Sequence, residues 1–139
     1  MASGRSGGAG AYRGVKRKGR TRDYNDEERF RIMERLDQYL EHLRTFSTER
    51  DWDQFHTPEN IAKSVSIEAG ELLECFQWGG EYDLDAVKDE IADVMGYCLM
   101  LTDVLQLDAV ELLEAKLQKN IEKYPVEKCK GRNTKYDKL

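Results

Sequence analysis

An all-α domain is the fold this sequence predicts, on three observations. Apolar residues recur at intervals of three and four through four segments. Helix start and stop signals bracket those segments. No stretch shows the apolar–polar alternation of a half-buried strand. At 139 residues, 40% hydrophobic and 35% charged, the chain supports one compact domain with an ordinary core and is too short for two.

Residues 1–22 are rich in Gly, Ser and bases without hydrophobic periodicity, so they are expected to form a disordered basic arm or an appended leader, with the folded domain in residues 23–139. The first helix is expected from Asn25 or Asp26 to Arg50, with Ile32, Leu36, Tyr39, Leu43 and Phe46 on one stripe. Thr57-Pro58-Glu59 supplies a capping hydroxyl, a proline at the first helical position and an acid in the first turn. These open a second helix with the core face Ile61, Val65, Leu72 and Phe76, which is expected to stop at Gly79-Gly80. The third helix should begin near Asp83 or Asp85 and carry Val87, Ile91, Val94, Cys98, Leu101 and Leu105 to a turn at Gln106–Asp108. Asp108 with Glu111 resembles a capping box and starts a fourth helix through Val110, Leu113, Leu117 and Ile121 to Tyr124-Pro125. The remainder, Val126 to Leu139, reads as an ordered or half-ordered basic extension.

The net charge of −5 conceals two populations. Seven bases and no acid lie in residues 1–22, leaving a net charge of −12 from Asp23 onward. Such an acidic domain argues against nucleic acid as the partner, and the arm lacks the apolar face of a transit peptide. No segment reaches the roughly 18 apolar residues of a membrane span. Cys75, Cys98 and Cys129 are odd in number and widely spaced, which points to reduced thiols and a cytoplasmic setting, with Cys75 and Cys98 packing in the core.

Four carboxylates stand out against this frame. Glu68 follows Ile61 by seven residues and Val65 by three, so it points from the buried stripe of the second helix, with Glu71 beside it. Glu90 follows Val87 by three residues and Asp93 follows Glu90 by three, along the edge of the third helix's seam. A carboxylate in a helical core is costly without positive compensation, and neither face offers a Lys or Arg. A hard divalent cation such as Mg²⁺, with Mn²⁺ as a substitute, fits oxygen ligands and leaves positions open for phosphate oxygens. The pairs therefore read as a nucleotide-phosphate site.

The run Arg50-Asp51-Trp52-Asp53-Gln54-Phe55-His56, followed by Glu68-Ala69-Gly70-Glu71-Leu72-Leu73-Glu74, Phe76-Gln77-Trp78, Asp89-Glu90-Ile91-Ala92-Asp93-Val94 and Lys123-Tyr124-Pro125, resembles the MazG-like nucleotide pyrophosphohydrolases. Within them it is most similar to the dCTP pyrophosphatase branch. The resemblance covers about Asp37 to Leu139 and leaves the arm outside.

It implies a four-helix-bundle core assembled as a dimer or dimer-based tetramer. The implied reaction is Mg²⁺-dependent hydrolysis of a nucleoside triphosphate, dCTP or a modified pyrimidine deoxynucleotide, to monophosphate and pyrophosphate, a nucleotide-pool cleansing activity. Carried over by position, Glu68, Glu71, Glu90 and Asp93 are the metal ligands, and Glu74 is a supporting acid or a further metal contact. Either Glu68 or Glu71 could orient the attacking water, with Glu71 preferred because a ligand carboxylate commonly keeps one oxygen free. Trp52, His56 and Trp78 match positions near the base pocket, and Tyr97 a phenol one turn beyond the last ligand. Where some relatives place a histidine on the first helix this chain has Leu43, with His42 beside it facing elsewhere. Lys116, Asn120, Lys123, Tyr124, Lys135 and Tyr136 match positions around the phosphates, within a tail whose eight bases from Lys116 onward outnumber three acids.

Two other classes compete on the residues alone. A di-iron carboxylate bundle wants Glu-x-x-His pairs, and neither His42 nor His56 follows such an acid. A catalytically silent helical adaptor or nucleotide-binding regulatory module is the non-enzyme alternative, and the intact set of acids argues against it.

Overall fold

The computed structural model describes residues 25–138; the expectations for residues 1–22 lie outside it. The described chain is helical throughout, as α1 (Asp26–Thr48), α2 (Pro58–Glu74), α3 (Leu84–Val104), α4 (Ala109–Lys123) and the short α5 (Val126–Cys129). Single 3₁₀ turns occupy Asp53–Phe55 and Tyr136–Lys138.

Capping explains where the helices begin. Asn25 accepts the Glu28 N–H at 2.8 Å while Glu28 accepts the Asn25 N–H at 3.1 Å, a reciprocal box that satisfies two donors at the start of α1. Thr57 caps α2 with Pro58 inside its first turn. Asp83 caps α3 and Asp108 caps α4, each accepting two backbone N–H groups. The end of α2 differs from expectation. The chain leaves α geometry after Glu74, because Phe76 and Gln77 donate to Leu73 and Glu74 in tighter i→i−3 bonds. Gly79 and Gly80 then take φ of 67° and 84°, the left-handed region in which a Cβ is strained, and turn the chain toward α3.

The strongest packing is the antiparallel hairpin of α2 and α3. Ile61, only 1% exposed, anchors α2, and Val87 is buried on α3. α1 joins α3 through Tyr39, whose hydroxyl lies 3.3 Å from where a Cβ on Gly96 would stand, so the missing side chain permits the approach. Arg44 on α1 also grips Asp103 on α3 through Nε and Nη2.

One chain does not close a four-helix bundle. Ala109 at the start of α4 is buried, whereas Leu113, Leu117 and Ile121 farther along are exposed, so α4 leaves α3 after its first turn. On α1 the expected core stripe is only half met: Leu36 and Leu43 are half-buried while Ile32, Tyr39 and Phe46 are exposed. Phe76, Ile91 and Leu105 are likewise exposed. Cys75 is half-buried, but Cys98 is exposed rather than in a core, since α3 packs mainly against α2 among the described residues. All three cysteines are free.

Candidate metal centre and cleft

Two buried anchors aim the acids. Glu68 is two helical turns beyond Ile61, and Glu90 is one turn beyond Val87, so docking those apolar side chains turns both carboxylates into the seam between α2 and α3. Glu68, Glu71 and Glu90 each offer an oxygen within 4.8 Å of the others. Asp93 lies outside that tight group, yet its charge acts on both Glu68 and Glu90. Burial, then the charges of Glu71, Asp93 and Glu90, push the Glu68 carboxyl above its ordinary range. Burial, then Glu71, Asp93, Asp89 and Glu74, do the same to Glu90. Among the described residues, every charge that shifts the two is negative. Glu90 Oε2 is buried with no hydrogen-bond partner among the described residues. A carboxylate oxygen stranded among like charges fits a cationic ligand, and an all-oxygen donor set suits a hard divalent ion.

Glu74 ends α2, exposed, and its charge reaches Glu90, which places it beside the cluster. Tyr97 is half-buried on α3, one turn beyond Asp93. The two tryptophans are separated. Trp52 precedes α2 and packs edge-on against Phe46 at 5.7 Å, while Trp78 follows α2 and is 88% exposed. The 17 residues of α2 span about 25 Å between them, so they do not flank one base within a single chain. Lys116, Asn120 and Lys123 ride on α4 as it departs from the hairpin, and Tyr124 donates its N–H to the Asn120 carbonyl at 2.9 Å. Lys135 pairs with Asp137 at 3.5 Å, and the Tyr136 side chain lies outside the described structure.

A cleft of about 240 Å³ opens between the C-terminal halves of α1 and α3, lined by Leu43, Arg44, Ser47, Asp53, His56, Met100, Asp103 and Val104. Of these, His56 is the one named from the sequence as a base-pocket residue; Ser47 and Asp53 were not among the expected site residues. Ser47, 3% exposed, donates to Asp53 Oδ1 at 2.5 Å and meets His56 Nδ1 at 2.9 Å. Asp53 Oδ2 accepts from Thr48 at 2.7 Å. Hydrogen bonds from Ser47, then Thr48, hold the Asp53 carboxyl below its ordinary range. The only sequence signal was an acid three residues before a histidine; Ser47 sits on the far side of a turn whose geometry depends on Asp51 at φ 54°.

The MazG-like family model matches residues 63–139. The dCTP pyrophosphatase 1 proteins of Mus musculus and Homo sapiens are each 33% identical over 104 residues, covering 68% of this chain and 61% of theirs. The chain thus spans about three fifths of the length of these curated relatives. A pyrophosphatase from Archaeoglobus fulgidus of known crystal structure is similar with a TM-score of 0.60 at 41% identity, over 66% of this chain and 93% of that one.

Proposed function

This chain belongs to the MazG-like family, and from that premise we propose that it hydrolyses a nucleoside triphosphate to the monophosphate and pyrophosphate with the help of a divalent cation, Mg²⁺ or Mn²⁺. The observation that carries this is the stranded Glu90 Oε2 inside the cluster of Glu68, Glu71 and Glu90. Glu68, Glu71, Glu90 and Asp93 are the residues that would hold the ion. When bound, it supplies positive charge to phosphate oxygens whose negative charge grows in the transition state.

The chain's own groups do the rest. Glu71 is exposed where Glu68 and Glu90 are half-buried, so it is the carboxylate best placed to keep an oxygen toward water and orient it for attack. Glu74, one turn on, holds a proton acceptor at the rim. Tyr97 lies on α3 between Asp93 and Met100, a position from which its phenol could serve the substrate between phosphates and base. Met100 lies seven residues, about 10 Å, beyond Asp93 along α3, so an extended nucleotide can lay its phosphates on the acids and its base in the cleft. At about 240 Å³ the cleft is below the ~300–1,000 Å³ of pockets for drug-sized ligands, which favours a single-ring base. Together with the dCTP named for the curated relatives, this supports a pyrimidine deoxynucleotide as substrate.

The working form we propose is a dimer or dimer-based tetramer. Leu113 is 65% exposed, and apolar residues along α1, α3 and α4 are left uncovered in one chain, a larger apolar surface than monomers usually show. A second copy would also be able to bring the exposed Trp78 to the site. Free cysteines accord with a cytoplasmic setting.

The test is incubation of the purified chain and Mg²⁺ with each common nucleoside triphosphate, with product identification. Monophosphate and pyrophosphate are expected, with dCTP ahead of dATP. Release of orthophosphate and nucleoside diphosphate overturns the reaction class, and binding of Mg²⁺ with no turnover of any nucleotide favours a silent adaptor.

A further inference from the structure

The Ser47 hydroxyl carries a single proton, and its surroundings fix where that proton goes. An ionised carboxylate only accepts, so Asp53 Oδ1 takes the Ser47 proton. The oxygen of Ser47 can then only accept from the ring nitrogen 2.9 Å away, which requires a hydrogen on His56 Nδ1. In the neutral ring this leaves Nε2 as a bare acceptor. Nε2 has no hydrogen bond among the described residues, and the half-buried His56 lines the cleft. The cleft's other charged pair, Arg44 and Asp103, is engaged with itself. The three side chains are not a nucleophilic triad, because a nucleophilic serine passes its proton to histidine and must be open to substrate, whereas Ser47 is buried and donates to a carboxylate.

We propose that Ser47 and Asp53 are positioning residues that lock His56 with its proton on Nδ1, so that Nε2 selects a base edge bearing an exocyclic amino group over one bearing a keto oxygen. The proposal rests on the nucleotide-hydrolase reading and deepens it. A cytosine amino group donates to Nε2, whereas uracil sets a carbonyl oxygen against a second acceptor and leaves both unpaired. Without the lock the ring is free to place its proton on Nε2 and accept the keto base.

The experiment has two arms, both on the full chain at about pH 8, where an ordinary histidine is neutral. Long-range ¹H–¹⁵N spectra read the tautomer directly, and only His42 and His56 contribute. His56 is expected to be protonated on Nδ1 in the unmodified protein and in Ser47→Thr, and to lose that preference in Ser47→Ala. Its Nε2 resonance should move on adding dCMP and not on adding dUMP. In the kinetic arm, the ratio of kcat/KM for dCTP over dUTP should fall about tenfold in Ser47→Ala, mainly through KM, and return in Ser47→Thr. An Nε2-protonated ring in the unmodified protein overturns the proposal, as does an unchanged substrate ratio in a Ser47→Ala protein whose tautomer has changed. Equal turnover of dCTP and dUTP by the unmodified protein also overturns it while leaving the phosphate chemistry intact. No turnover of any nucleotide instead sinks the proposed function, and the tautomer and the dCMP–dUMP contrast still decide this point.

Discussion

Arg44 on α1 and Asp103 on α3 form a forked contact in which both guanidinium Nε and Nη2 donate to one carboxylate, and they do so 59 positions apart. Asp103, then Glu41, raises the Arg44 guanidinium further above its ordinary range. The pair ties the only stretch of α1 that lines the cleft to the end of α3.

Breaking that fork should loosen α1 without unfolding the hairpin. The Arg44 side chain is half exposed, so the coupling measured in a double-mutant cycle of Arg44→Ala and Asp103→Ala should not exceed about 1 kcal/mol and should shrink in high salt. A coupling of several kcal/mol by denaturant unfolding would show that the contact organises far more than one helix junction.

Glu71→Gln and Asp93→Asn should each lower turnover at least about a hundredfold, the scale of losing one charge-stabilising group in a transition state. Their metal-free thermal midpoints should hold or rise, because each substitution removes a charge that repels Glu68 and Glu90. Circular dichroism melts beside steady-state assays separate the two effects. A variant inactive because it is unfolded would contradict this account.

Burial of Glu68 and Glu90, and then the same repulsion, set a pH dependence. Glu68 and Glu90 are both raised above the ordinary carboxylate range, so the folded state binds more protons than the unfolded one and their contribution to stability is fully present below that range. It is lost as pH rises through their folded values. Asp53 is shifted the other way, and its contribution, present above its ordinary range, disappears as pH falls through its lower folded value. The metal-free protein should therefore melt at higher temperature near the ordinary carboxylate range than at neutrality, and Mg²⁺ should erase the difference by raising the neutral midpoint. Melts with chelator and with Mg²⁺ across that range check it.

Trp78→Ala should leave stability within about 0.5 kcal/mol, as for other exposed positions, and weaken all nucleotides alike. If stability falls sharply instead, the indole is covered in the working assembly by apolar packing rather than by a base. Sedimentation of the variant at several concentrations distinguishes the two.

Removing Lys128–Leu139 should raise KM by about tenfold through lost charge-assisted contacts with the phosphates. Removing residues 1–22, which precede the family match at residues 63–139, should leave kcat and KM within about twofold. Loss of activity from the second truncation would give the basic arm a part in catalysis.

Local chemistry was the legible part of this chain. Asn25, Thr57, Asp83 and Asp108 cap where short polar side chains before apolar periodicity say they should, because capping involves residues two or three apart. Glu68 and Glu90 were likewise readable from their spacing to Ile61 and Val87. The stripe of Leu113, Leu117 and Ile121 marks a helix correctly and yet faces solvent, since periodicity tells which face is apolar and not which chain covers it. The glycine pair marked the reversal after α2, but not the four residues of tighter turn before it. Ser47 and His56 meet across a loop, and no periodic pattern relates residues on either side of one.

The hairpin carries a kinetic consequence. Glu68 and Glu90 are 22 positions apart and joined by a short loop, so closing that loop costs about 1 kcal/mol less chain entropy than docking α1, whose tie to α3 spans 59. The acids therefore converge among the earliest long-range contacts the chain can make. A cation present while the chain is still collapsing would meet the proposed ligands nearly assembled, and refolding in Mg²⁺ should be accelerated where refolding in chelator has to bring four like charges together unaided.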